Sequence, residues 1–312
     1  MSSSLIILLI TTILIGMIPR AMPIFAAAIG ETVDQSAGVL NLGVEGMMLM
    51  GAVIGLLVDY YTHNILLAFL AAGFIGLAFS VIHGIVTITM RLDQTTSGTA
   101  LWFIGWGISG VIYASIFGIS STPPTILTLR GVYIPYLSSI PFFGKFIFGE
   151  DPMAYILIVL LIVVQYFLFH TKQGLNLRTV GNDPRVAEIM GVNPIRYRYA
   201  ALLFGGFMAG IGGAYLTLVV VGSFYFDMTA GIGFIAVALV YFGKWNPWRV
   251  FAGTLIFGAV YVFYLMMESI YPAIPYDFYQ MLPYLATLVM ILVIGAKARA
   301  PTALTLPYIK EG

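Results

Sequence analysis

Repeated apolar runs of about 20 residues, the length a helix needs to cross a bilayer, decide what this chain can fold into. In hydrocarbon every backbone N–H and C=O has to be satisfied within the protein, so such a chain forms α-helices or a closed barrel. The runs are continuous and lack the alternation of barrel strands, and the expected fold is an all-α polytopic bundle, a single transmembrane domain over residues 1–312. With 60% apolar and 9% charged residues, a soluble globule is excluded.

The runs are Leu5 to Ile29, Val39 to Val58, Ile65 to Met90, Thr99 to Ile119, Met153 to His170, Ala200 to Val221, Gly231 to Gly243, Val250 to Met267 and Tyr279 to Ile294, about nine crossings. Pro19 and Arg20 fall inside the first, which is expected to kink or split there. The seventh, GIGFIAVALVYFG, rises only about 20 Å as a helix against a core of about 30 Å, and reads as a half-helix completed by irregular backbone. Met1 to Ile18 lacks a basic leader and a small-residue cleavage site, so it reads as part of the first helix.

Single crossings put Arg91, Lys172, Arg178, Arg185, Arg196, Arg198, Lys244, Arg249, Lys297, Arg299 and Lys310 on one side, 11 of the 14 basic residues. The positive-inside rule makes that side cytoplasmic, with the amino terminus outside and the carboxyl terminus inside. The opposite side takes Asp59, Glu150, Asp151, Asp227 and Asp277, with a segment over 120–152 whose Pro, Gly and aromatic residues read as an ordered extracellular cap.

Several classes of chemistry drop out. A net charge of +1 scattered through loops gives no footprint for nucleic acid. Without cysteine there is no disulfide, thiolate or cysteine-ligated metal, and His63, His83 and His170 lack metal-ligand spacing. No paired carboxylates, Ser/His/Asp grouping, HExxH or GxxxxGK[ST] occurs, so the chain does not read as an enzyme, and any ATP and magnesium used in its work would be bound by another polypeptide.

The polar loop over 172–198 carries five basic and two acidic residues between two spanning runs. Within it Asp183 can cap a helix, Pro184 suits the first position, RVAEIM continues it and Gly191 fits a left-handed stop. The expectation is a short helix outside the membrane, sized for a cleft on a soluble protein; the plainer reading is a solvated loop.

Nearer the amino terminus, Glu31, Asp34, Asn41 and Glu45 lie in or beside apolar sequence. A carboxylate at membrane depth costs roughly 2.5–3.5 kcal/mol on insertion scales, so Glu45 has to face protein or water. Gly38 and Gly43 bracket a break in a helix, which Glu45 either braces or opens to a solute path. In DQTTSG, Thr95, Thr96 or Ser97 caps the fourth run or bonds a solute. The short seventh run begins near Thr229 and aims its positive end into the membrane, while Trp245 and Trp248 fit an interfacial aromatic belt. Gly205, Ala209 and Gly213 form one small-residue ridge and Gly206 with Gly210 another, for packing inside the bundle or against a second copy.

Five blocks in order, SAGVLNLGVEGMMLMGA, DQTTSGTAL, TVGNDPRVAEIMGVNPIRYRY, MTAGIGFIAVALVYFGKWNPW and PTALTLPY, resemble the permease subunits of prokaryotic ABC importers in the branched-chain amino acid and simple-sugar superfamily, nucleoside-type branch. The resemblance runs from about Arg20 to Tyr308; it departs at TVDQSAG, where Gln35 stands at a commonly basic position. It implies a vitamin B12-permease-like bundle in the cell membrane and a partner set of cytosolic ABC ATPase, second paralogous permease subunit and external solute-binding protein. It further implies an ATPase-coupling element formed by Gly181, Asn182, Asp183, Pro184, Arg185, Ala187, Glu188, Gly191 and Asn193. Asn41, Glu45, Thr96, Ser97 and Thr229 stand as path candidates for a small neutral solute, a nucleoside first, a free base or a pentose otherwise. The rival class, an ion-coupled secondary transporter, would have only Glu45 to carry its ion and no use for the capped loop helix; a non-transporting scaffold ranks lower.

Overall fold

The computed structural model describes residues 3–118, 123–132, 135, 136, 138, 146, 148–294 and 299–309. Among these there are eleven α-helices and no strand. They are α1 (Ser3–Ser36), α2 (Val44–Thr62), α3 (Ile65–Gly84), α4 (Gln94–Phe117), α5 (Pro152–His170), α6 (Lys172–Asn182), α7 (Pro184–Ile189), α8 (Pro194–Tyr215), α9 (Ile232–Gly243), α10 (Pro247–Ile270) and α11 (Tyr276–Ile294). Single π-helical turns extend α3 over Ile85–Thr89 and α8 over Leu216–Val221.

Seven of the helical spans are long and apolar enough to cross a membrane. The other two expected crossings correspond to α9, only 12 residues long, and to α11, whose 19 residues include Pro283. The first run neither splits nor ends at its prolines: α1 continues through Pro19 and Pro23 for 34 residues. Its stretch from Ala21 to Ala28 is buried on every side, and packing against α8 and α10 holds the helix where Pro removes a backbone hydrogen bond.

The centre of the bundle is α8, and its small residues explain why. A Cβ on Gly213 would sit 1.8 Å from the Met48 carbonyl oxygen, and one on Gly210 would sit 2.0 Å from that of Ala72. Gly206 meets Gly76 and Ser80 in the same way, while Gly205 lies against Gly30 and the Asp34 carboxylate. Both ridges are therefore spent within this chain, bringing α1, α2 and α3 onto α8 backbone to backbone, and the second-copy reading of them is set aside.

The ends of the bundle sort by chemistry. At one end Gly181 meets Ser36 and Gly38, the Leu40 N–H donates to Gln94 Oε1 (2.7 Å), the Trp245 indole donates to Gln35 Oε1 (3.1 Å) and the Ala303 N–H donates to the Gly181 carbonyl (3.0 Å). Arg91, Lys172, Arg196, Lys244 and Arg249 belong to the helix termini gathered there. At the far end, Ile126 and Leu129 donate backbone N–H groups to the carbonyls of Gly222 and Leu218, both 2.8 Å, and Tyr215 donates its hydroxyl to Asp151. Part of the expected cap, 123–132, thus packs along the end of α8; the remainder of 120–152 lies largely outside the described residues.

Leucine at Gly213 or Gly210 has to drive its side chain through a neighbouring backbone, and overpacking of this kind costs about 3 kcal/mol or more. Each variant is expected to lower the thermal midpoint in detergent by several degrees, whereas leucine at half-buried Gly107, where no atom lies within 4 Å of an added Cβ, leaves it unchanged. At the far end, burial and then the adjacent Asp151 push the Glu150 carboxyl from its ordinary 4.5 up to about 8. The folded protein keeps that proton where the unfolded chain has released it, so this group weakens the fold as pH rises from about 4.5 to about 8. Glu150→Gln is expected to flatten that decline in a series of thermal midpoints against pH; Asp151, also raised by burial, keeps part of it.

Candidate coupling surface and solute path

Capping chemistry builds the loop over 172–198 almost residue by residue. Thr171 Oγ1 accepts from the Gly174 N–H (3.0 Å) and opens α6. Asp183 Oδ1 then accepts from the N–H groups of Arg185 (3.0 Å) and Val186 (3.1 Å), opening α7 with Pro184 in its first turn. Gly191, at φ +82°, closes α7, and Asn193 Oδ1 accepts from Arg196 N–H (3.1 Å) to start α8 at Pro194. The expected short helix is present with the expected start and stop, although Glu188 carries a second duty that sequence did not show: it accepts the Tyr308 hydroxyl.

One face of α7 is seated and the other is bare. Ala187 is buried, while Ile189 and Met190 are 83% and 76% exposed, an apolar pair beyond the ends of the spanning helices. Behind them Gly181 is pressed against the end of α1, where a Cβ would come within 2.1 Å of the Ser36 carbonyl oxygen. The tail over 301–309 straps this corner. Buried Arg198 donates Nη1 to the Leu306 carbonyl (2.9 Å) and Nη2 to that of Ala303 (3.4 Å).

Of the path candidates, two come together. Glu45 is buried, and its Oε1 accepts from the Thr229 hydroxyl (2.6 Å) and Gly231 N–H (2.7 Å), its Oε2 from Gly233 N–H (2.6 Å). The carboxylate thereby caps the start of α9 inside the membrane, where the helix dipole is positive. Gly233 has to be glycine for this, since a Cβ there would meet the same carboxylate at 2.7 Å. The other three stand apart. Asn41 donates Nδ2 to Met47 Sδ (3.5 Å), Ser97 shares a hydrogen bond with His83 Nδ1 (3.3 Å), and Thr96 is exposed. None of Thr95, Thr96 and Ser97 caps α4: Asp93 does, accepting from Thr96 N–H (2.7 Å), a bond that holds its carboxyl below the usual range. Trp248 is half exposed as an interfacial residue should be, but Trp245 is buried against Gln35 and leaves the belt.

Aromatic residues that the sequence reading passed over form a cavity of about 710 Å³ at the other end of α4. Trp106, Tyr113, Phe224 and Phe226 line it, the Trp106 and Phe226 rings 4.5 Å apart. Its walls include the segment over 224–226, three residues before Thr229, so the Glu45 clamp and the cavity share one loop.

The chain matches the family described as branched-chain amino acid transport system / permease component over residues 13–294. It belongs to that family. The permease is 32% identical to the nucleoside ABC transporter permease protein NupC of Lactococcus lactis, covering 96% of this chain and 97% of the relative. It is 32% identical to the guanosine ABC transporter permease protein NupQ of Bacillus subtilis, covering 93% and 94%. It is 36% identical to the putative glucose ABC transporter permease protein TsgC13 of Haloferax volcanii, covering 81% of this chain and 77% of the relative. No solved structure shows a significant match. The permease is accordingly a multi-pass membrane subunit of an ABC transporter rather than an enzyme, a family that works with an ATPase and a solute-binding protein.

Truncating Glu45 to Ala strands the buried Thr229 hydroxyl and Gly233 N–H, each costing about 1–3 kcal/mol, together with the half-buried Gly231 N–H. E45A is expected to lower the thermal midpoint sharply, and E45Q, which keeps one acceptor oxygen, to fall between it and the parent; equal midpoints for all three would remove the clamp.

Proposed function

We propose that this permease is half of the membrane path of an ATP-driven nucleoside importer, paired with a second, paralogous permease subunit. The basic end of the bundle faces the cytoplasm and the amino terminus lies outside. ATP and magnesium act on the partner ATPase, which seats on Gly181 to Asn193, and the external binding protein delivers the solute to the opposite end.

The observation that carries this reading is a continuous line of contact from the bare face of α7 to the aromatic cavity. Gly181 abuts Ser36 and Gly38, the link 37–43 leads directly into α2, and Glu45 at the head of α2 grips the loop that holds Phe224 and Phe226. Displacement of α7 by an ATPase therefore reaches the cavity through backbone and a buried carboxylate, without a flexible intermediary. Flat aromatic walls suit a base or sugar ring, and Asp227, whose carboxyl burial raises against a hydrogen bond from Trp106, stands beside them as an acceptor for hydroxyls. Glu45 and Thr229 act as the brace of this gate, their hydrogen bonds being spent on one another and on the backbone at the start of α9. A simple sugar is the second reading, and the relative named as a putative glucose permease favours it.

Replacing Asp183 to Gly191 by a Gly/Ser linker in the complete transporter is expected to abolish ATPase retention and solute uptake together; uptake that stays coupled to hydrolysis would defeat the coupling role. Loss of one stacking face is worth about 1–3 kcal/mol, so Trp106→Leu is expected to raise the KM for nucleoside uptake about tenfold, with Trp106→Phe recovering most of it. Competition by glucose but not by nucleosides in the same uptake assay would select the sugar reading.

A further inference from the structure

A second cavity, of about 630 Å³, opens between α1, α5, α6 and α8, well away from the aromatic one. Its floor is apolar, with Val33, Leu160, Val164, Phe167, Leu177 and Phe204, and it follows α5 for about 10 Å from Phe167 up to Leu160. The residues of that floor belong to spanning helices, apart from Leu177 on α6. Polar atoms occur only at its mouth, where α5 ends, α6 begins and α8 starts: Gln173, Tyr197 and Arg196. Tyr197 is held there, donating its hydroxyl to Gln173 and accepting from Asn176 Nδ2 (3.0 Å).

Arg196 is the unusual member. Its backbone N–H is satisfied by Asn193, yet its guanidinium has no hydrogen-bond or carboxylate partner among the described residues. Lys172 is exposed on the adjoining helix start and Arg178 is stacked 4.8 Å over Phe169, so two further cations sit on the helices that flank the mouth. The nearest acidic residues along the chain are committed elsewhere, Asp183 to the start of α7 and Glu188 to Tyr308.

We propose that this groove is a site for an anionic phospholipid, one acyl chain lying along Leu160 to Phe167 and the phosphate paired with Arg196. An open apolar slot at bilayer depth is filled by hydrocarbon, and a planar guanidinium at its lip matches a phosphate bidentately. A basic pocket between spanning helices at the headgroup level is the physical form that recognition of acidic lipids takes. The bound lipid would join α5, α6 and α8 on their open side and so set the angle at which α6 presents α7. The site stands on the groove and its mouth alone, independent of what the transporter carries.

Native mass spectrometry of the intact transporter, reconstituted with equal phosphatidylglycerol and phosphatidylcholine before transfer to mild detergent, tests it. The parent is expected to retain phosphatidylglycerol in at least fivefold excess, R196Q to bring that ratio to about one, and Ala200→Phe, which fills the slot, to lose the retained lipid while the ATPase stays bound. Equal ratios for parent and R196Q overturn the proposal. So does stabilisation of the parent by soluble glycerol phosphate to the same extent as by the lipid, which would make the mouth a free-phosphate site. Efficient photo-cross-linking to the second permease in membranes, from a benzophenone side chain placed at Val163, would assign the groove to that subunit and overturn it equally.

Discussion

A helix that begins inside a bilayer presents its first N–H groups to a medium with no water to receive them, and α9 begins that way. One carboxylate, that of Glu45, answers three of those donors from a different helix, α2. Much of the functional architecture depends on this arrangement. It allows α9 to be 12 residues long, it fixes the loop that precedes it, and it joins the first third of the chain to the last. A charge that would be expensive alone in lipid is held by hydrogen bonds and by the positive end of a helix.

The same economy runs through the centre. Alanine and glycine on α8 remove side chains from its contacts with α1, α2 and α3, so the closest approaches in the bundle are between backbones. Large apolar residues fill the spaces around those contacts, with Phe25, Met47, Met48 and Tyr215 fully enclosed. Polar side chains at the same depth are satisfied locally where they can be: Thr32, Ser36 and Thr87 each donate to the carbonyl four residues back. Asp34 is an exception, its carboxyl lying against the backbone of Gly205 on α8 rather than on a carbonyl of its own helix.

Local signals were legible in the sequence wherever a residue acts on its own neighbourhood. Asp183, Pro184 and Gly191 define α7 within a few positions, the shortness of α9 follows from counting apolar residues, and the spacing of Gly205 to Gly213 announces close packing. What escaped depends on partners distant in the chain. Glu45 and Thr229 were each singled out, but nothing in either stretch says that they touch, 184 positions apart. Trp245 looks interfacial by composition and is buried because Gln35 offers it an acceptor. The tail gives no hint that Arg198 will hold it by its carbonyls, and the aromatic cavity draws on α4 and on a loop more than a hundred residues later. The unsplit α1 belongs here too, since burial by other helices outweighed two prolines.

The backbone contacts along α8 also determine what can move. Glycine faces pressed together at van der Waals distance leave no side chains to re-rotamerise, so sliding would require whole turns to separate, and α1, α2, α3 and α8 behave as one stiff keel. The helix α4 buries little of its surface, yet the face it does bury joins the same framework: its Gly105 lies against the backbone of Gly46 on α2, and Gly233 near the head of α9 lies against the backbone of Glu45. The keel therefore extends through α2 to one edge of α4 and to the head of α9, and a push applied at one end of these helices would arrive at the other largely undeformed.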